Sequence, residues 1–145
     1  MTDFPPLMAI QQLGRTYRLL MAAFEAQIGH SMPRWRILLT LHQQGEQTQK
    51  RLAQDLSMDP AALTRQVKAI ERLGWVSRRS DASDNRLTHV ALTEAGRRLV
   101  IDTLPRRSAF IEQAFGDLSS DRLKALSTML HELEERLQAI AQGHE

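Results

Sequence analysis

Three arginines and a lysine in the middle of this chain, Arg65, Lys68, Arg78 and Arg86, are of a type and spacing suited to holding polyanions rather than to making or breaking bonds. Arg86 closes the polar run Asp81-Ala82-Ser83-Asp84-Asn85-Arg86. A guanidinium at the tip of such a turn can enter the narrow minor groove of duplex DNA, where the negative potential is strongest over A·T-rich stretches. Asp84, two residues earlier, is placed to hold that guanidinium in one orientation; the plainer alternative is a surface ion pair of little energy. Arg65 has the reach to give a guanine edge a bidentate donor, and Thr64, Gln66 and Lys68 are placed for phosphates. Arg78 and Arg79 alternate, so one of them faces outward and can meet phosphate.

These side chains need a scaffold, and the apolar pattern supplies one. Leu7, Ile10, Leu13, Tyr17, Leu20, Met21, Phe24 and Ile28 recur at helical spacing, between Pro5-Pro6 and Gly29. Pro33 is suited to the first turn of a second helix, running to about Gly45 and burying Trp35, Leu38, Leu39 and Leu41. Thr48 caps a short third helix with Leu52, Ala53 and Leu56 inward. Ser57-Met58-Asp59 makes a turn, and Asp59-Pro60 starts a fourth helix with Leu63, Val67, Ile70 and Leu73 as its buried stripe, ended by Gly74. That stripe leaves Ala61, Ala62, Thr64, Arg65 and Lys68 outward. Small residues there let the backbone approach base edges, and an alanine methyl can rest on a thymine methyl. An ordinary solvated helix face is the plainer reading of the same residues.

Trp75–Ser80 and Leu87–Leu92 alternate as strands around the arginine-tipped turn, and Thr93 opens a long fifth helix. Pro105 inside it predicts a kink or a break. Ser119 or Ser120 opens the last helix, in which Leu123, Leu126, Leu130, Leu133, Leu137 and Ile140 follow spacings of three and four, the seam of a coiled coil. The first and fifth helices could cover that seam within one subunit. A two-fold dimer interlocking both chain ends is preferred, because paired recognition helices about 34 Å apart match a palindromic site. The expected architecture is mainly α: a winged helix-turn-helix lobe (33–98) with a small β-hairpin wing, and a helical dimerisation domain built from both ends (1–32 and 99–145).

Charge agrees with this layout. The net charge of +2 is small, but from Pro60 to Arg98 the bases Arg65, Lys68, Arg72, Arg78, Arg79, Arg86, Arg97 and Arg98 face only Glu71, Asp81, Asp84 and Glu94. From Glu112 onward Glu112, Asp117, Asp121, Glu132, Glu134, Glu135 and Glu145 outnumber Arg122, Lys124 and Arg136. One face suits phosphate and the other avoids it. The chain has no cysteine, which excludes disulfides, thiolate metal sites and thiol-based oxidant sensing. No leader or membrane span is read, so a cytoplasmic protein, on the nucleoid when DNA-bound, is expected.

Asp84-x-Arg86, then five residues and Leu92-Thr93-x-x-Gly96, resembles the signature of the MarR/SlyA family of bacterial transcription regulators. Leu52-Ala53, Leu63-Thr64-Arg65 and Leu73-Gly74-Trp75-Val76 extend the resemblance, which covers essentially the whole chain. It implies an obligate dimer of triangular outline, with the first, fifth and sixth helices as dimer domain. It also implies repression or antirepression at pseudo-palindromic promoters, relieved by small molecules. Pro60, Ala61 and Arg65 align with the family's base-reading region and Arg86 with its wing arginine. By the same resemblance Arg15, Arg18, Trp35 and Leu39 correspond to effector-pocket positions, and the expected effector is a small aromatic carboxylate. Arg15 and Arg18, beside Tyr17, would take the carboxylate while Trp35 walls the ring. Solvated or dimer-bridging arginines and a plain core tryptophan are the other reading.

His30, His42, His89, His131 and His144 are scattered, and His131-Glu132-x-x-Glu135 lacks the second histidine of a zinc-protease helix, so no metal or other cofactor is expected. No Gly-rich phosphate loop, nucleophile elbow or His–carboxylate constellation supports an enzyme. A winged-helix module that binds only protein is the remaining alternative; such modules often lack an exposed basic recognition helix or an arginine-tipped wing.

Overall fold

The computed structural model describes residues 4–143; His144 and Glu145, named above, lie outside them. The elements are α1 (Pro5–Ile28), α2 (Met32–Gln44), β1 (Gln47–Thr48), α3 (Gln49–Leu56), α4 (Pro60–Arg72), β2 (Val76–Ser80), β3 (Thr88–Leu92), α5 (Glu94–Phe115) and α6 (Ser120–Gln142). Their ends follow local chemistry. Gly29 closes α1 in the left-handed region at φ 86, where a side chain is disfavoured. Ser31, Thr48, Asp59 and Ser119 each accept a hydrogen bond from the backbone N–H three residues on, satisfying an otherwise orphaned first-turn donor. With Ser31 as the cap, α2 begins at Met32, one residue before the expected proline. Between α3 and α4 the tight turn passes through Ser57 at φ 51, the one non-glycine residue with positive φ among those described.

β2 and β3 pair antiparallel from Val76↔Leu92 to Ser80↔Thr88, and β1 adds Gln47↔Val90 and Thr48↔His89, giving the order β1-β3-β2. β1 was not expected: two residues are too few to show alternation. Among the described residues no helix is long and apolar enough to cross a membrane.

The chain forms two compact units, up to Phe110 and from Ile111 onward. The first holds the core: Phe24 and Ile28 from α1, Trp35, Ile37, Leu38 and Leu41 from α2, Leu52 and Leu56 from α3, Leu63, Val67 and Ile70 from α4, with Val76, Val90, Val100 and Phe110. Phe24 and Phe110 meet edge to face with centroids 5.6 Å apart. Three expectations need correction. Leu73 does not complete the α4 stripe; it caps the helix and is 51% exposed, because the chain turns away after Arg72. Leu39 is half-buried at the edge of the core, and Ile37 takes the fully buried place. Of the kink or break expected at Pro105, the break does not occur, since α5 continues to Phe115.

In the second unit, no residue of α6 is buried. Leu123 is half-buried, whereas Leu126, Leu130, Leu133, Leu137 and Ile140 are exposed. The apolar seam read from the sequence lies open along this helix.

The start of α5 is the tightest point in the first unit. Thr93 donates its backbone N–H to the Trp75 carbonyl (3.1 Å) and its hydroxyl to the Gly74 carbonyl (2.6 Å), while accepting from the Gly96 N–H (3.1 Å). A Cβ on Gly96 would stand 2.0 Å from the Trp75 carbonyl oxygen. Helix propensity alone favours alanine over glycine by about 1 kcal/mol. The backbone clash outweighs it, so Gly96→Ala is expected to destabilise the protein by about 1–3 kcal/mol, the usual cost of overpacking. Urea unfolding checks this, and a more stable variant would refute it.

Candidate nucleic-acid interface

α4 presents Pro60, Ala61, Arg65 and Lys68 to solvent, with Ala62 and Thr64 half-exposed beside them. Neither Arg65 nor Lys68 has an ion-pair partner among the described residues, so both charges remain available. Thr64 is different. Its hydroxyl donates to the Pro60 carbonyl (2.9 Å) and accepts from the Gln49 side-chain amide (3.1 Å). Both partners are internal, so Thr64 ties α3 to α4 instead of standing ready for phosphate. Arg36 adds a second tie by donating to the Leu56 carbonyl at the end of α3 (3.1 Å). These two bonds brace the helix-turn-helix. Sequence reading missed Gln49 and Arg36, since nothing in their local context marks them.

The hairpin turn is knotted around Asp81. Its carboxylate accepts from the backbone N–H groups of Ser83 and Asp84 (both 3.0 Å), from the Ser83 hydroxyl (2.9 Å), and lies 2.7 Å from His89 Nε2 on β3. The His89 contact, then the Ser83 bonds, hold the Asp81 carboxyl far below the usual carboxylate range. Asp84 then takes Arg86 in a fork, Nε to Oδ1 at 3.1 Å and Nη2 to Oδ2 at 3.2 Å, and its pKa is lowered chiefly by that bond. Arg86 is nonetheless 90% exposed, an oriented cation pointing outward, as Asp84 two residues before it suggests.

The paired arginines of β2 divide otherwise than expected. Arg78 is the inner one, donating to Glu71 at the end of α4 (3.1 Å), and it lowers the Glu71 pKa by that hydrogen bond. Its charge is committed, which corrects its assignment to phosphate. Arg79 is the outward residue and pairs with Glu46 (2.9 Å). Both pairings depend on partners remote in sequence and were invisible in it.

A cleft of about 430 Å³ joins the reading elements: Pro60 and Thr64 from α4, Gln49 and Lys50 from α3, and Arg86 and Thr88 from the hairpin line it. Recognition helix and wing arginine therefore share one concave face. The proposed effector residues are not gathered in this way. Arg15, Tyr17 and Arg18 lie exposed on α1, with Arg15 donating to Gln12 (3.2 Å), and the cavity that includes Arg15 has no wall from α2. Trp35 is 2% exposed in the core, and Leu39 packs at its edge. Among the described residues no group of histidines and acids could hold a metal; His131 pairs with Glu135 across one turn of α6.

A braced helix-turn-helix with an unpaired basic face, flanked by an arginine-tipped hairpin, defines a winged helix-turn-helix DNA-binding protein. Residues 30–88 match the model of the MarR family. The HTH-type transcriptional regulator YdgJ of Bacillus subtilis is 30% identical over 131 residues, 90% of this chain and 80% of YdgJ. Reduced AbfR bound to DNA is 25% identical with a TM-score of 0.77, covering 97% of this chain and 99% of that one. Bordetella bronchiseptica BpsR, whose DNA binding is regulated by 6-hydroxynicotinic acid, is 22% identical with a TM-score of 0.77 over 88% of this chain and 98% of its own. The chain belongs to the MarR family. It is a DNA-binding transcription regulator and not an enzyme.

Acid should loosen the wing in a defined direction. Asp81 and Asp84 have pKa values in the folded protein below the ordinary value of 3.8. Their contribution is thus complete above that value and is lost as pH falls below it. Asp81→Asn should flatten the decline in stability below pH 3.8, followed by thermal unfolding across an acid pH series. An unchanged slope would mean that the knot adds nothing.

Proposed function

We propose that this regulator is a homodimeric repressor that binds a pseudo-palindromic operator and is released by a small aromatic carboxylate. The observation that carries the DNA-reading part is the exposed, unpaired Arg65 and Lys68 on α4, a helix whose Pro60 and Thr64 line one cleft with Arg86. Arg65 reads a base edge in the major groove, and Arg86 enters the flanking minor groove. Lys68 meets phosphate. Selected operators in a mobility-shift assay test the division. Arg65→Ala should relax base preference at about 1–3 kcal/mol per half-site, and Arg86→Ala should weaken binding most where the flanks are A·T-rich. Parent-like binding by both variants would sink the assignment.

The dimer is supported by the open stripe on α6: Leu126, Leu130, Leu133 and Leu137 are 44%, 42%, 40% and 53% exposed. Apolar side chains aligned over several turns mark an association surface. Leu130→Glu would place an unpaired charge in that seam. In sedimentation the parent should be a dimer at micromolar concentration and the variant a monomer with weakened operator affinity. A monomeric parent with full affinity would overturn the dimer. Release by an aromatic acid is supported by the regulation of BpsR by 6-hydroxynicotinic acid and by the exposed basic pair Arg15 and Arg18. With this reading, Trp35 and Leu39 would have to open from the core edge to wall the ring.

A further inference from the structure

We infer that the carboxylate of the effector sits at the junction of α1 and α2, on His30, Arg34 and Arg106, beside Trp75; this rests on the aromatic-acid reading above. Three basic side chains converge there. Arg106 comes from α5, one of its terminal nitrogens 3.6 Å from where a Gly29 side chain would begin, and it donates to the buried Thr103 hydroxyl (3.4 Å). Arg34 stands in the first turn of α2, one turn from His30. The His30 ring lies edge-on to Trp75 with centroids 5.2 Å apart.

What marks this cluster is the missing counter-charge. Among the described residues no carboxylate lies within ion-pair distance of Arg34 or Arg106, although most arginines of the reading lobe have one. Arg34 Nε is moreover buried without a hydrogen-bond acceptor. A buried N–H left unmatched is costly, and like charges gathered together add to the cost. Burial and then the Arg106 and Arg34 charges lower the His30 pKa and favour its neutral ring, a shift that an anion beside it would oppose. A carboxylate supplies two acceptor oxygens for the terminal nitrogens of the two arginines, and Trp75 with His30 offers an aromatic flank for a planar ring. The pair on α1 offers less, because Arg15 already donates to Gln12 and its aromatic neighbour Tyr17 is exposed. The position also suits control of the reading head: the Trp75 carbonyl holds Thr93, where the wing meets α5.

Salicylate is the probe, and the arginine Nε–H signals of the ¹⁵N-labelled full-length protein are the readout. Arg34→Lys and Arg106→Lys assign those signals. Titration should shift the Arg34 signal saturably, and Arg34→Gln or Arg106→Gln should each weaken the apparent affinity about tenfold, as loss of a charge-assisted bond implies. Arg106 is exposed, so its variant tests the site even if Arg34→Gln folds poorly. DNA release is measured in parallel. If salicylate releases DNA while the Arg34 signal is still and both Gln variants respond normally, this site is wrong and the aromatic-acid reading stands. If the signal shifts without release, the site stands and that reading falls. If salicylate does nothing and the Gln variants weaken self-association instead, the carboxylate belongs to a second copy of the chain and the effector site is overturned.

Discussion

The segment that follows α4, the hairpin and α5 are tied together by the hydrogen bonds around Thr93. Its backbone and hydroxyl hold the carbonyls of Trp75 and Gly74, the residues between the end of α4 and β2, while Thr93 itself follows β3 and caps α5. The recognition helix, both strands of the wing and the fifth helix thus share one node. Each bond contributes only about 0.5–1.5 kcal/mol net. Their importance is geometric: the node sets the angle at which the hairpin leaves the recognition helix. Gly96 is required there because the first turn of α5 passes against the Trp75 carbonyl with no room for a methyl group.

Charge in the reading lobe is sorted by pairing. Arg51, Arg78 and Arg79 hold Asp55, Glu71 and Glu46, and so stiffen α3, the α4–β2 connection and the sheet edge. Arg65 and Lys68 have no such partner among the described residues. Arg86 stands between these states: Asp84 fixes its direction without burying it, and Asp81 in turn fixes Asp84 by accepting its backbone N–H. A carboxylate so near a phosphate-seeking arginine weakens the local positive potential. It also removes rotamer freedom that would otherwise be lost on binding.

Local signals carried much of this architecture. Ser, Thr and Asp caps, Pro60 after Asp59, Gly29 and Gly74 after their helices, and strict alternation around the polar turn each act within a few residues, so element order and type were legible. The Asp84–Arg86 fork was legible for the same reason. What escaped depends on partners distant in the chain. Arg78 and Arg79 differ in role because Glu71 and Glu46 lie on different elements, and Thr64 is occupied because Gln49, fifteen residues earlier, reaches it. β1 escaped because its identity comes from β3 rather than from its own two residues. Leu73 fits the helical period, but the helix ends before that period can bury it.

The same distinction bears on how a small molecule could govern DNA binding. An effector shifts an equilibrium only by binding one arrangement better than another, so its seat must touch something that differs between them. Arg15 and Arg18 lie exposed on α1, and the cavity that includes Arg15 is lined from α1 alone. The cluster of His30, Arg34 and Arg106 draws on α1–α2, on α5 and, through Trp75, on the residue whose carbonyl anchors Thr93. On the proposal above, an anion between Arg34 and Arg106 would relieve their repulsion beside the ring pair His30–Trp75. The route from such a seat to the wing would then run through Trp75, whose carbonyl holds Thr93 where β3 passes into α5.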